Sequence, residues 1–245
     1  MPRLPLIEAL TTEPIPAGSN ILVEFDPASQ WYNASLTMAA GWIRSGGVSS
    51  YNVYDHAPEK VRLQLKNLGL EVEALESDEK LRIIDWYTMQ LGQKSGEKYA
   101  TPVTSLKVAE LSILQSRGLM GSKGTLFPGT PWRLGPDVLR IIDDDLVIAR
   151  YNDEKNFVDF WRTREIPSAP STKSTTIFGA VRGVFPDFLY RSLEASVDGI
   201  IDFKFEEEGS TTRDLMRVRS MRNVHFDRQW HELKISENFE VKLEK

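Results

Sequence analysis

Apolar and polar positions along the chain follow two periods. Short apolar runs stand at Asn20–Phe25, Val48–Tyr54, Leu81–Trp86, Val138–Ile142, Thr175–Val181 and Gly199–Phe205. Runs of this length bounded by turn residues predict buried strands. Between them the period becomes helical. In Trp31–Ser45, Leu36, Ala39, Ala40 and Ile43 share a face, and Gly46-Gly47 ends the helix. Pro58 opens a second helix through Leu68, with Val61, Leu65 and Leu68 on one stripe and Gly69 after it. Val103–Ser116, Asn152–Arg164 and Asp187–Ala195 complete the helical set. Gln90–Thr101, Gly118–Gly135 and Ile166–Ser174 are rich in polar, Gly or Pro residues and predict loops. Residues 1–14 contain Pro2, Pro5 and Pro14 and predict an extended lead-in, with Ile15–Ser19 as a turn. Residues 213–243 pattern as two or three antiparallel strands. Alternating strands and helices imply an α/β fold: a mostly parallel central sheet flanked by helices, with antiparallel strands added at the C-terminal end. No linker or repeat divides the chain, so residues 1–245 predict one domain.

Composition narrows the chemistry. The chain has 245 residues, 41% hydrophobic and 27% charged, enough for a sizeable core. It has no cysteine, which excludes disulfides, thiolate catalysis and Cys-based metal sites. His56, His225 and His231 are scattered without H-x-x-x-H spacing, so no metal site is expected. No G-x-S-x-G motif supports a hydrolase triad. The net charge of −5 argues against a globally basic nucleic-acid footprint. No apolar run approaches the roughly 20 residues of a membrane span, and MPRLPLIEAL does not read as a signal peptide. A cytoplasmic protein without a membrane partner is the expectation.

The first strand, the stretch Phe25–Asn33 (FDPASQWYN) and the following helix stand in the order of a phosphate-binding loop, G-x-x-x-x-G-K-[ST]. The glycines, the lysine and the Ser/Thr are absent from it. Asp143, Asp144 and Asp145 form an acidic run after a strand, where ligands gather in open α/β sheets. The preferred reading of that run is a solvated turn rather than a Mg²⁺ site. Arg217 and Arg219, with Met221, fall on one face of a late strand. Trp31, Tyr32, Trp42, Tyr51 and Tyr54 crowd the same region, most of them as core.

Taken in order, these pieces resemble the RecA-like ATPases of the KaiC/RadA type. The carriers are the turn Ile15–Ser19, Tyr54–Val61 (YDHAPEKV), Leu68-Gly69, Leu81–Asp85 (LRIID), Val138–Asp143 (VLRIID), Asp198–Ile201 (DGII) and Val218–Arg222 (VRSMR) with His225 after it. They span about residues 15–243. The resemblance implies a RecA-like P-loop NTPase core. It places the P-loop glycines on Phe25 and Gln30, the lysine on Trp31 and the Ser/Thr on Tyr32. Asp26 adds negative charge where an anion would sit. The water-activating acids fall on Asp55 and His56, and the Walker B aspartate on Asp143. The late-strand lysine falls on Ser220, and Arg222 keeps the arginine.

Losing the cradle and the lysine removes several charge-assisted hydrogen bonds of roughly 1.5–3 kcal/mol each. Binding of ATP and Mg²⁺ is therefore not expected, and no catalytic residue is assigned. The expectation is a pseudo-ATPase, a non-enzymatic regulatory or assembly partner. It would contact itself or an active paralogue through Arg217, Arg219, Arg222 and His225. Alternatives are an accessory factor in DNA recombination or repair, through loops 118–135 and 166–176 with Lys123 and Lys173, or an atypical nucleotide binder.

Overall fold

The computed structural model describes residues 2–100, 105–116, 125–127, 130–131 and 135–244. In chain order it contains β1 (Asn20–Phe25), α1 (Trp31–Arg44), β2 (Val48–Val53), α2 (Pro58–Asn67), α3 (Val72–Ser77), β3 (Leu81–Asp85), α4 (Tyr87–Gln90) and α5 (Val108–Ser116). There follow β4 (Thr125–Phe127), β5 (Thr130–Pro131), β6 (Val138–Ile142), α6 (Leu146–Ala149), α7 (Glu154–Phe160), a π-helical turn Trp161–Glu165 and α8 (Ile166–Thr172). The remainder is β7 (Thr175–Val181), α9 (Asp187–Glu194), β8 (Gly199–Glu208), β9 (Thr211–Met221), β10 (His231–Ile235) and β11 (Val241–Leu243).

Nine strands form one sheet in the order β11-β10-β9-β8-β1-β7-β6-β2-β3. From β8 to β3 all neighbours are parallel, and β9, β10 and β11 extend it antiparallel. The β4–β5 pair is a separate two-stranded piece. The parallel strands are buried on both faces, which is why they read as continuous apolar runs. Ile21, Val23 and Phe25 of β1 pack under α1 and α2 with Tyr51, Ile83 and Ile141. Leu22 points the other way, into a core with Phe157, Trp161, Phe178 and Leu189. Each fully buried side chain of this size contributes about 1.5–3 kcal/mol.

Several expectations need correction. The extended lead-in is instead a set of turns that buries Leu4, Leu6, Ile7 and Leu10. Its apolar side chains outweigh the proline signal by packing on the sheet's α1 face. Residues 72–77, left unassigned by pattern, form α3.

The Pro/Ser stretch after Glu165 is helical, not a loop. Pro167 sits in the first turn, where its missing N–H has no bond to lose. Pro170 cannot bond the carbonyl of Ile166, and the side chain of Asn20 donates to that carbonyl instead, at 3.0 Å. The hydroxyls of Ser168, Ser171 and Thr172 donate to other carbonyls of the same turns. Lys173 ends the helix in a left-handed conformation, φ 59°.

Finally, β9 carries a bulge. The pairing with β8 shifts between Ile200 and Ile201, opposite Val218 and Ser220. The extra residue reverses the alternation. Met221 therefore joins the α1-side core with Met216 and Val218, and does not share a face with Arg217. The helix predicted from Val103 begins at Val108; residues 101–104 lie outside the described residues. Most of the loop 118–135, with Lys123, also lies outside them.

Candidate functional site

The carboxyl ends of β1, β2, β6 and β7 surround a cavity of about 370 Å³. Its lining includes Phe25, Trp31, Tyr32, Asp55, His56, Asp143, Asp144, Arg150 and Val184. Ligands of open α/β sheets bind at this edge.

The loop between β1 and α1 is a pair of ordinary turns. Asp26 donates its N–H to the Phe203 carbonyl at 3.1 Å, and its own carbonyl receives the Ser29 N–H and hydroxyl. No residue from Asp26 to Gln30 has a positive φ. A nest of N–H groups built on alternating right- and left-handed residues is therefore not formed here. Gln30 precedes α1 and accepts from Asn33 through its side chain.

Trp31 opens α1 and is only 3% exposed. Its indole N–H donates to the Asp143 carbonyl at 2.7 Å. The ring stacks on Phe25, centroids 5.9 Å apart, and meets Phe203 edge-on at 5.6 Å. Gly179 of β7 makes room beneath: a Cβ there would lie 1.9 Å from the Asp143 carbonyl oxygen and 2.8 Å from the indole nitrogen. Tyr32 stacks on His56 at 4.0 Å. Its hydroxyl is shielded from solvent without a hydrogen-bond partner, and burial together with Asp143 raises its pKa.

The acidic run is not a solvated turn. Asp143, Asp144 and Asp145 are all buried. Backbone donors replace the water: Asp143 accepts from the N–H groups of Tyr54 (2.8 Å), Asp144 (2.8 Å) and Asp55 (3.3 Å). Asp144 accepts from Leu146 and Val181 at 3.1 and 3.4 Å. Burial first, then Asp55 and Asp143, push the Asp144 pKa up to about 8. Burial and Asp143 also raise Asp55. Asp145 turns away toward Glu165 and Trp161, and burial raises it well above the ordinary range. The Arg150 guanidinium answers this charge 3.8 Å from Asp144, and the His56 ring lies 3.7 Å from Asp143. Among the described residues, no three His, Asp or Glu side chains converge with metal-holding geometry.

Of the aromatic group, Trp31 and Tyr32 line the cavity, while Trp42, Tyr51 and Tyr54 belong to the core. Arg150 was not singled out from sequence; it sits just past a four-residue helix with no periodicity to mark it.

The arginines of β9 lie elsewhere. Arg217 bonds Asp202 at 2.7 Å and stacks over Trp230. Arg219 reaches Glu24 (2.7 Å), Glu194 (2.8 Å) and Asp202 (3.4 Å). Arg182 binds Glu24 and Asp202 at 2.9 and 2.7 Å. Burial acts to raise Glu24, but the bond to Glu194 and the charges of Arg219 and Arg182 hold it below its ordinary value. Arg217 and Arg219 thus compensate acids of their own chain. Arg222 donates to the Ala195 carbonyl at 3.3 Å, and His225 stands exposed beside Glu13 at 3.1 Å. A lone acid inside each of the apolar runs ILVEF and GIIDF was the available sign of this network.

No protein-family model matches the chain. It is 27% identical over 137 residues to phosphoenolpyruvate carboxylase of Solanum tuberosum, a match covering 55% of this chain and 13% of that protein. So short a share of that protein assigns neither family nor activity. The structure is similar to the crystal structure of a KaiC-like protein from the hyperthermophilic archaeon Pyrococcus horikoshii. The TM-score is 0.68 with 14% identity, covering 100% of this chain and 97% of that one. At that identity the likeness shows the fold: a RecA-like, KaiC-type α/β domain with antiparallel strands at its C-terminal end. No described helix is long and apolar enough to cross a membrane.

Proposed function

We propose that this RecA-like domain neither binds nor hydrolyses nucleoside triphosphates, and works as a regulatory or assembly partner of another protein. The Trp31 indole carries the reading. It occupies the position at which the resemblance places the phosphate-binding lysine, and it is fixed there by the Asp143 carbonyl and two aromatic rings. An indole brings a single N–H, already engaged, where a phosphate needs a positive charge and free donors.

Two further features agree. The turns of residues 26–30 have no left-handed residue, and the N–H groups of Asp26 and Ser29 are bonded within the protein. The acidic lining of Asp55, Asp143 and Asp144 offers an incoming phosphate oxygen acceptors rather than positive charge. His56 stands where the resemblance places a second acid, and it stacks on Tyr32 rather than facing open water.

On this reading the partner is a second copy or an active paralogue. Arg222 and His225 remain at the surface for such a contact, since Arg217 and Arg219 are engaged internally. Calorimetric titration with ATP and Mg²⁺, together with a phosphate-release assay, tests the proposal. No saturable heat at micromolar ATP and no turnover above buffer are expected. Micromolar binding, or turnover abolished by Asp143→Asn, would falsify it.

A further inference from the structure

We propose that the cavity at the ends of β1, β2, β6 and β7 binds a small organic cation, an ammonium or guanidinium group. The inference rests on the preceding reading, that this edge of the sheet is no longer built for phosphate.

Three independent properties of the cavity point the same way. The first is charge. Asp55, Asp143 and Asp144 face it, while Arg150 is nearly half exposed at 46% and only 3.8 Å from Asp144 at closest. The second is the wall. Phe25, Trp31 and Tyr32 line it, and a cation is attracted to such rings.

The third is unmet hydrogen bonding. Asp144 is fully buried, yet its Oδ2 accepts no hydrogen bond. The Tyr32 hydroxyl and His56 Nδ1, also shielded from solvent, have none either. Buried polar atoms are nearly always satisfied, and each exception asks for a missing partner. Ammonium and guanidinium carry three and five donors and no acceptor, which suits a carboxylate and a hydroxyl. A bare divalent cation suits the site less, because no three side chains among the described residues converge as ligands.

The unliganded site stores a proton in place of the cation. Burial, with the like charge of Asp55 and Asp143, pushes the Asp144 pKa up to about 8. The groups facing Asp144 are Asp55 and His56 after β2, Asp143 and Asp145 beside it, Arg150 after α6, Tyr32 of α1 and Tyr190 of α9. Entry of a cation therefore releases one proton to the buffer, and binding strengthens as pH rises toward 8.

Calorimetric titration of the whole chain tests this, with agmatine in one arm and a pentapeptide carrying a central arginine in another. Affinity should rise several-fold from about pH 6.5 to about pH 8.5, with a heat that varies with the buffer's ionisation enthalpy. Asp144→Asn should weaken binding about tenfold or more, and Tyr32→Phe, which keeps the stacking, about threefold. Lys234→Ala, exposed on β10 and outside the cavity, should leave it unchanged. Binding of agmatine alone assigns a free amine; binding of the peptide alone assigns a side chain of a partner protein. Silence in both arms overturns the proposal, as does binding that Asp144→Asn leaves intact, or Mg²⁺ alone binding with the same sensitivity to Asp144→Asn. An ATP arm separates the two readings: ATP binding overturns the loss of the phosphate site, whereas silence of every ligand overturns the cation site alone.

Discussion

At the scale of single residues, Gly179 decides how the site closes. It lets the Asp143 carbonyl and the Trp31 indole settle against β7, and an added Cβ would meet that oxygen at 1.9 Å. Gly179→Ala should destabilise the protein by about 3 kcal/mol or more, read as a lower urea midpoint. Asp144 makes a second prediction. Its folded pKa of about 8 exceeds its ordinary 3.8, so the folded state holds a proton that the unfolded state has lost across that interval. Stability attributable to Asp144 is therefore intact below about pH 4 and falls as pH rises toward 8. Asp144→Asn should be more stable than the wild type by a few kcal/mol near pH 8, with the gap shrinking toward pH 4 in parallel melts. Sequence placed Trp31, Tyr32, Asp55, His56 and Asp143 in one neighbourhood, and they line one cavity. It misjudged the exposure of Asp143–Asp145, because the N–H donors that shelter them come from β2 and β7 as well as from their own turn.

At the scale of elements, most strands were legible because both their faces are apolar. The bulge in β9 was not, since it lies in the pairing with β8 and not in the strand's own pattern, and nothing in the sequence of Trp161–Glu165 marks the π-helical turn. The bulge leaves Arg217 and Arg219 facing Asp202, Glu24 and Glu194, so three arginines, with Arg182, meet three acids. Asp202 is fully buried and forms ion pairs with all three arginines. Asp202→Ala takes the carboxylate from Arg217, while Arg182 and Arg219 keep Glu24 and Glu194. The arginines are about a third exposed, so the loss is set at the low end, about 2–3 kcal/mol. Chemical denaturation should show it, and Asp202→Asn, which keeps part of the hydrogen bonding, should lose less.

At the scale of the whole molecule, the alternation of strands and helices was enough to set the parallel sheet and its antiparallel extension. The fate of residues 4–13 was not legible, because proline spacing carries no information about a distant docking surface. That segment bridges to the region after β9: Thr11 pairs with Phe226, the Thr12 N–H bonds the His225 carbonyl, and the Asp227 N–H bonds the Leu10 carbonyl. Ile7 is fully buried there. Ile7→Ala should cost about 2–4 kcal/mol in thermal or urea unfolding, the loss expected of a core position rather than of a tail.

That bridge also bears on the order in which the molecule assembles. Thr12 and His225 are 213 positions apart in sequence. Closing so long a loop brings its entropy cost before any contact rewards it, and non-local pairings of this kind slow folding. The apolar side chains of the segment can settle on α1 early, but the backbone pairings of Leu10, Thr11 and Thr12 wait for the stretch after β9, so protection of the amides in those pairings from hydrogen exchange reports the last step of assembly.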